Sequence, residues 1–209
     1  MRFDNYFWDF DGTLMDSYPL IIRSFQQGAA SLGVTVDRRH MMDLAKISIG
    51  HMTRTVAAES GLTAESLKEA YDRAIDASDY SRIQPYEGIP AILEAIVRRS
   101  GKNFLYTHSG NRTLDALANF GMKRFFTDYI TADNRFPAKP APNALVYMIE
   151  KYGLDTSRSV MVGDRDIDVQ AGLNAGIAGA LFDPDGYYDH MPFTYRFKSM
   201  QAMRDTFLQ

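Results

Sequence analysis

From Gln84 to Phe182, short apolar segments alternate with amphipathic ones, and no other feature of the chain restricts its fold so strongly. Ile89, Ile92, Leu93, Ile96 and Val97 mark one helical face, followed by Arg98 and Arg99 where positive charge complements the helix dipole. Residues 103–106 read as a strand, Leu114, Leu117 and Ala118 as a helix, and Tyr129-Ile130 as a weak strand. Pro140 and Pro142 precede a helix carrying Leu145, Met148, Ile149 and Tyr152. Residues 159–162 predict a further strand, 168–175 a helix, and 177–182 another strand. Such alternation predicts an α/β fold, a doubly wound, mostly parallel sheet of Rossmann-like type covered by helices on both faces.

Upstream the pattern is different. Tyr6-Phe7-Trp8 is an aromatic run that stops at Asp9-Phe10-Asp11-Gly12-Thr13. An apolar run closed by acid and glycine predicts a buried strand ending in a loop. From Ser17 to Ile83 no strand is expected. Ile21, Phe25 and Leu32, and later Leu67, Ala70, Tyr71 and Ala74, recur at helical spacing, with Gly33 and Gly61 as helix stops. The expected organisation is a core of residues 1–16 and 84–209, interrupted by an all-helical cap domain of about four helices over residues 17–83.

Composition removes several classes of function. Apolar residues make up 45% and charged residues 23%, which suits a folded chain. A formal charge of −3 offers no basic stripe for nucleic acid. The longest apolar run is about six residues, against the ~18 a membrane span requires. Met1-Arg2-Phe3-Asp4-Asn5 carries no apolar targeting segment. The absence of cysteine excludes disulfides, thiolate metal sites and cysteine nucleophiles. The expectation is a cytoplasmic chain with neither a nucleic-acid nor a membrane partner.

In open parallel sheets, ligands bind outside the carboxyl ends of the strands. The first strand delivers Asp9 and Asp11 there, the second Thr107, His108 and Ser109. Lys139 follows the third strand, and Asp164, Asp166 and Asp168 follow the fourth. One aspartate at a strand-to-helix junction is ordinarily an N-cap, and one lysine is ordinarily a solvated charge. Four carboxylates at one rim are different, because a pair about 5 Å apart repels by about 3 kcal/mol at an effective dielectric of about 20. Something cationic has to balance them. Oxygen ligands without cysteine or paired histidine select a hard cation, Mg²⁺ over Zn²⁺, and Mg²⁺ commonly bridges carboxylates to phosphate oxygens. Asp9 and Asp11, two apart, point to one side of an extended strand end. Asp164 and Asp168 share a face at a helix start, after Gly163, while Asp166 falls on another side.

The segments DFDGTLMDS (residues 9–17), Thr107, Lys139 in AKPAP and GDRDID (residues 163–168) resemble the haloacid dehalogenase-like hydrolases. More narrowly, they look like the phosphoglycolate-phosphatase-like members with a helical cap. AGLNAG (residues 171–176) is similar to the usual continuation of that subgroup. The resemblance implies that Asp9 is a nucleophile forming an aspartyl-phosphate, and that Asp11 protonates the leaving alcohol and then activates water. It implies that Thr107 and Lys139 hold the phosphoryl group, and that Mg²⁺ is bound through Asp9, the Asp11 carbonyl and Asp164, with Asp168 in support.

It further implies a small phosphorylated metabolite as substrate, with the protein a monomer or weak dimer. The family often places asparagine after the hydroxyl, whereas this chain has His108-Ser109-Gly110-Asn111. His108 or Asn111 is thus a candidate substrate contact, or else a loop-bonded residue. In the insertion, Tyr18, Arg23, Lys46 and Arg54 are the candidate substrate contacts. His40, His51 and His190 lack metal-ligand spacing. A sugar phosphomutase is disfavoured because Tyr18 to Phe25 contains no histidine. Dehalogenase and phosphonate chemistry are disfavoured by the second aspartate, Asp11, and a non-catalytic phosphate-binding protein by the presence of a nucleophile and a proton donor together.

Overall fold

The innermost strand, β1 (Asn5–Trp8), is buried along its whole length, as expected of an aromatic run in the middle of a sheet. The computed structural model describes residues 1–209. After β1 the chain forms a two-residue strand, β2 (Met15–Asp16), and then four helices: α1 (Tyr18–Ser31), α2 (Arg38–Ile47), α3 (Ile49–Ser60) and α4 (Ala64–Asp76). It returns through β3 (Gln84–Pro85), α5 (Ile89–Arg98), β4 (Lys102–Tyr106), α6 (Arg112–Asn119), β5 (Phe126–Ile130) and α7 (Asn143–Tyr152). The last elements are β6 (Ser159–Gly163), α8 (Asp166–Asn174), β7 (Ala178–Phe182), β8 (Tyr195–Phe197) and α9 (Met200–Phe207).

The six longer strands form one sheet in the order β5-β4-β1-β6-β7-β8. Each neighbouring pair is parallel, so the expected parallel α/β sheet is observed. From β1 the chain builds outward through β4 and β5, then returns to the other side of β1 to add β6, β7 and β8. The reversal of strand order lies at β1 and β6, whose carboxyl ends are adjacent. On one face, Phe7, Phe104, Met161, Leu145 and Met148 pack together. On the other, Tyr6 stacks on Trp8, and Phe207 meets Phe3, Tyr195 and Phe197 edge to face. The Trp8 indole N–H donates to Asn103 Oδ1 at 2.9 Å, which satisfies a buried donor that hydrocarbon alone would strand.

The chain divides into two compact units, residues 1–16 with 84–209 and residues 17–83. The second is entirely helical. Its core is Tyr18, Ile22, Phe25, Met41, Leu44, Met52, Val56 and Leu67, with their neighbours. Side-chain caps define its helix starts: Asp37 accepts from His40 N–H, Ser48 from His51 N–H and Thr63 from Ser66 N–H. Gly61 ends α3 at φ +73°, a left-handed cap. Gly28 lets α1 approach α4, since a Cβ there would lie 2.8 Å from backbone atoms of Ala70 and Tyr71.

Three features differ from the sequence reading. The weak strand at Tyr129-Ile130 extends over five residues, its three middle positions, exposed or half-buried, obscuring the pattern. The pair β2–β3, two residues each, is too short for any periodicity to announce. The edge strand β8 and helix α9 extend the fold beyond Phe182; β8 has only three residues, two of them half-buried. No helix is long and apolar enough to cross a membrane.

Candidate active site

The site is assembled at the carboxyl ends of β1, β4 and β6. Asp9 directly follows β1, and its N–H continues the ladder by donating to Val162 O at 2.9 Å. Beyond it the chain turns sharply: the N–H groups of Leu14 and Met15 both converge on the Phe10 carbonyl, with Gly12 at φ +71°. Phe10 is fully buried. Asp164 follows β6, and Asp168 sits in the first turn of α8. Asp164 therefore precedes the helix, which corrects the expectation that both share its face. Gly163 makes the approach possible, because a Cβ there would lie 2.2 Å from Asp168 Cβ.

Asp9, Asp164 and Asp168 are buried, and each presents a carboxylate oxygen within 4.8 Å of the others. Lys139 reaches the same point from the loop before α7. Its ammonium lies 2.7 Å from Asp9 Oδ1 and 2.8 Å from Asp168 Oδ1, and 4.6 Å from the centre of the Tyr106 ring. The second Asp168 oxygen accepts the Arg165 backbone N–H at 3.1 Å, with Arg165 Nε 4.0 Å away. Both Asp168 oxygens are thus engaged by the chain's own cations and amides.

The electrostatics follow from one ammonium facing three buried carboxylates. Burial, with Asp168 and Asp164 adding to it against Lys139 and Arg165, pushes the Asp9 carboxyl up to about 7. Asp168 goes the other way: burial opposes its charge, but Lys139 and Arg165 win and hold it below the usual carboxylate range. Lys139 is likewise raised, the two carboxylates outweighing its burial. The cluster is short of positive charge around Asp9. An all-oxygen donor set with that deficit fits a hard divalent cation such as Mg²⁺, and Asp9, Asp164 and Asp168 are the carboxylates close enough together to hold one.

The remaining candidates divide. Thr107 is buried, and its Oγ1 accepts the Ser109 N–H at 3.0 Å, leaving its own O–H to donate. The Asp11 carboxylate lies outside the acidic cluster, with Oδ2 accepting from Ser109 Oγ. His108 Nε2 accepts the Lys139 N–H at 2.9 Å. Loss of solvent, then the charges of Lys139 and Arg165, push this imidazole down to about 4, so it is a neutral acceptor. Asn111 is also engaged, its Oδ1 accepting from Thr131 Oγ1 at 2.8 Å.

Tyr18, Arg23, Lys46 and Arg54 all belong to the helical unit. There, Tyr18 and Lys46 are buried, the ammonium 4.5 Å from the centre of the Tyr18 ring, whereas Arg23 and Arg54 are exposed. The sequence reading brought Ser109 to the rim without giving it a role, and did not name Arg165. Ser109 lies two residues beyond Thr107, a spacing that could have marked it; nothing in the sequence separates Arg165 from an exposed arginine.

A doubly wound sheet with a buried aspartate, a paired lysine and an acidic cluster at its switch point defines an enzyme site built around charge. The sequence model of the haloacid dehalogenase-like hydrolases matches residues 6–182, and the chain belongs to that family. It is 28% identical over 182 residues to a phosphoglycolate phosphatase of Vibrio parahaemolyticus, covering 82% of this chain and 79% of the relative. It is 25% identical to the pyrophosphatase PpaX of Halalkalibacterium halodurans, covering 92% and 95%. Among solved structures, a hydrolase from Streptococcus pneumoniae superposes with a TM-score of 0.66 at 28% identity, covering 99% of this chain and 98% of that one.

Proposed function

We propose that the protein is a Mg²⁺-dependent phosphatase that hydrolyses a small-molecule phosphate monoester through an aspartyl-phosphate on Asp9. The observation that carries this reading is the contact of the Lys139 ammonium with both Asp9 and Asp168 inside a buried acidic cluster. Lys139 works against burial to favour the charged form of Asp9, and holds Oδ1 in place at 2.7 Å. Asp9 and Asp164 would hold the metal, which would supply charge neutralisation for the incoming phosphoryl group. Asp168 fixes the lysine and would support the metal site from the same cluster.

Thr107 donates its hydroxyl to a phosphoryl oxygen. An Asp9 oxygen bonds to phosphorus as the bond to the ester oxygen breaks, and Asp11, protonated from solvent beforehand, gives its proton to that oxygen. The resulting Asp11 carboxylate takes a proton from water, whose oxygen attacks phosphorus and releases Asp9 and inorganic phosphate. His108 keeps the Lys139 loop in place through its neutral Nε2.

Residues 17–83 form the cap domain in this reading, with Tyr18 and Lys46 as its buried polar pair and Arg23 and Arg54 as its exposed cations. The named activities of the relatives make 2-phosphoglycolate and pyrophosphate the first compounds to assay. The test is phosphate release with and without Mg²⁺. Wild-type protein should turn over, chelation should stop it reversibly, and Asp9→Asn should lose about 10⁴-fold or more. Turnover that survives Asp9→Asn would overturn the reading.

A further inference from the structure

We infer that Ser109 is a positioning residue that selects which oxygen of Asp11 transfers the proton to the leaving group. The inference rests on the acid–base role of Asp11 proposed above. Ser109 is held from both sides by the backbone: its N–H donates to Thr107 Oγ1 at 3.0 Å, and its carbonyl accepts from Ala132 N–H at 3.0 Å. A serine fixed in this way has one free element, its hydroxyl, and that hydroxyl donates to Asp11 Oδ2.

Chemistry completes the assignment. The Ser109 O–H can donate to Oδ2 whether Asp11 is a carboxylate or a carboxylic acid, because in the acid Oδ2 is the carbonyl oxygen. The proton therefore resides on Oδ1. As the bond between phosphorus and the ester oxygen breaks, Oδ1–H passes its proton to that oxygen while Oδ2 stays bound to Ser109. Without the hydroxyl, Asp11 can rotate and present either oxygen, or neither, to the leaving group. Orientation of this kind contributes to the barrier only when a proton has to move. Thr107, His108 and Ser109 thus act from three consecutive positions on the phosphoryl group, the lysine loop and the proton donor.

The test uses leaving groups of different basicity. An alkyl phosphate, the faster of 2-phosphoglycolate and glycerol 2-phosphate, releases a strongly basic alkoxide that needs the proton. 4-Nitrophenyl phosphate releases a stable phenolate that does not. Ser109→Ala should lower kcat/KM on the alkyl ester by about tenfold or more relative to its effect on the aryl ester, because kcat/KM reports cleavage of the ester bond and not the later hydrolysis of the aspartyl-phosphate, in which Asp11 serves both esters alike. Retained aryl turnover shows at the same time that the variant is folded. In the Asp11→Asn background, Ser109→Ala should add nothing further. Equal losses on both esters, or an additive loss in the double variant, would overturn the inference. If Asp11→Asn itself shows no difference between the esters, the acid–base reading of Asp11 fails instead.

Discussion

The two units of this chain treat charge in opposite ways. In the sheet unit, Asp9, Lys139, Asp164, Asp168 and Asp183 are buried ionisable side chains. In the helical unit the only buried charged residue is Lys46, packed against Tyr18, and ion pairs such as Lys68–Asp72 lie on the surface. Burying charge is costly unless each group finds a partner, so a fold concentrates it only where the partners do something besides stabilise. The helical unit follows the ordinary rule of apolar inside and charged outside. The sheet unit departs from it at one rim, and that departure locates the chemistry.

The largest test of this contrast removes one cation from each unit. Lys139→Met leaves Asp9 and Asp168 buried without their counter-charge and should cost about 3 kcal/mol in urea unfolding, besides abolishing turnover. Lys68→Ala removes an exposed partner of Asp72 and should change stability by less than about 0.5 kcal/mol. Similar costs at the two positions would break the comparison. A steric test follows: Gly28→Ala forces a Cβ against the backbone of α4 and should destabilise the helical unit by about 2 kcal/mol, read from the melting of its helical circular dichroism. An unchanged melt would mean that α1 and α4 are less tightly apposed than the 2.8 Å approach requires.

The smallest effect concerns pH. His108 titrates near 4 in the folded protein, below the ordinary histidine value of 6.5. Both states are neutral above that ordinary value, so the contribution of His108 is complete there. As the pH falls toward 4 the unfolded chain takes up a proton that the folded protein refuses, and stability is lost. Because part of the ring reaches solvent, the loss should stay under about 1 kcal/mol. His108→Gln should flatten that segment of the stability curve, and an unaltered pH profile would remove His108 from it.

What was legible in the sequence follows from the same contrast. The long buried strands and the amphipathic helices carry their periods openly, and Asp9, Lys139 and Asp164 stand where an apolar strand or a proline punctuates the chain. What escaped notice was either too short to show a period, as with Met15–Asp16 and Tyr195–Phe197, or dependent on a partner distant in sequence. Ser109 meets Asp11 across 98 positions, and a hydroxyl gives no sign of where its proton goes. The neutral state of His108 likewise depends on the Lys139 N–H, 31 residues further along.

Trp8 is the only tryptophan in the chain, and it stands one residue before Asp9 with its indole nitrogen tied to Asn103. Its emission is therefore a native optical probe of the sheet unit alone, blue-shifted while the strand is dry and silent about the helices of residues 17–83. Unfolding followed by fluorescence and by ellipticity can assign a midpoint to each half of the molecule without a label.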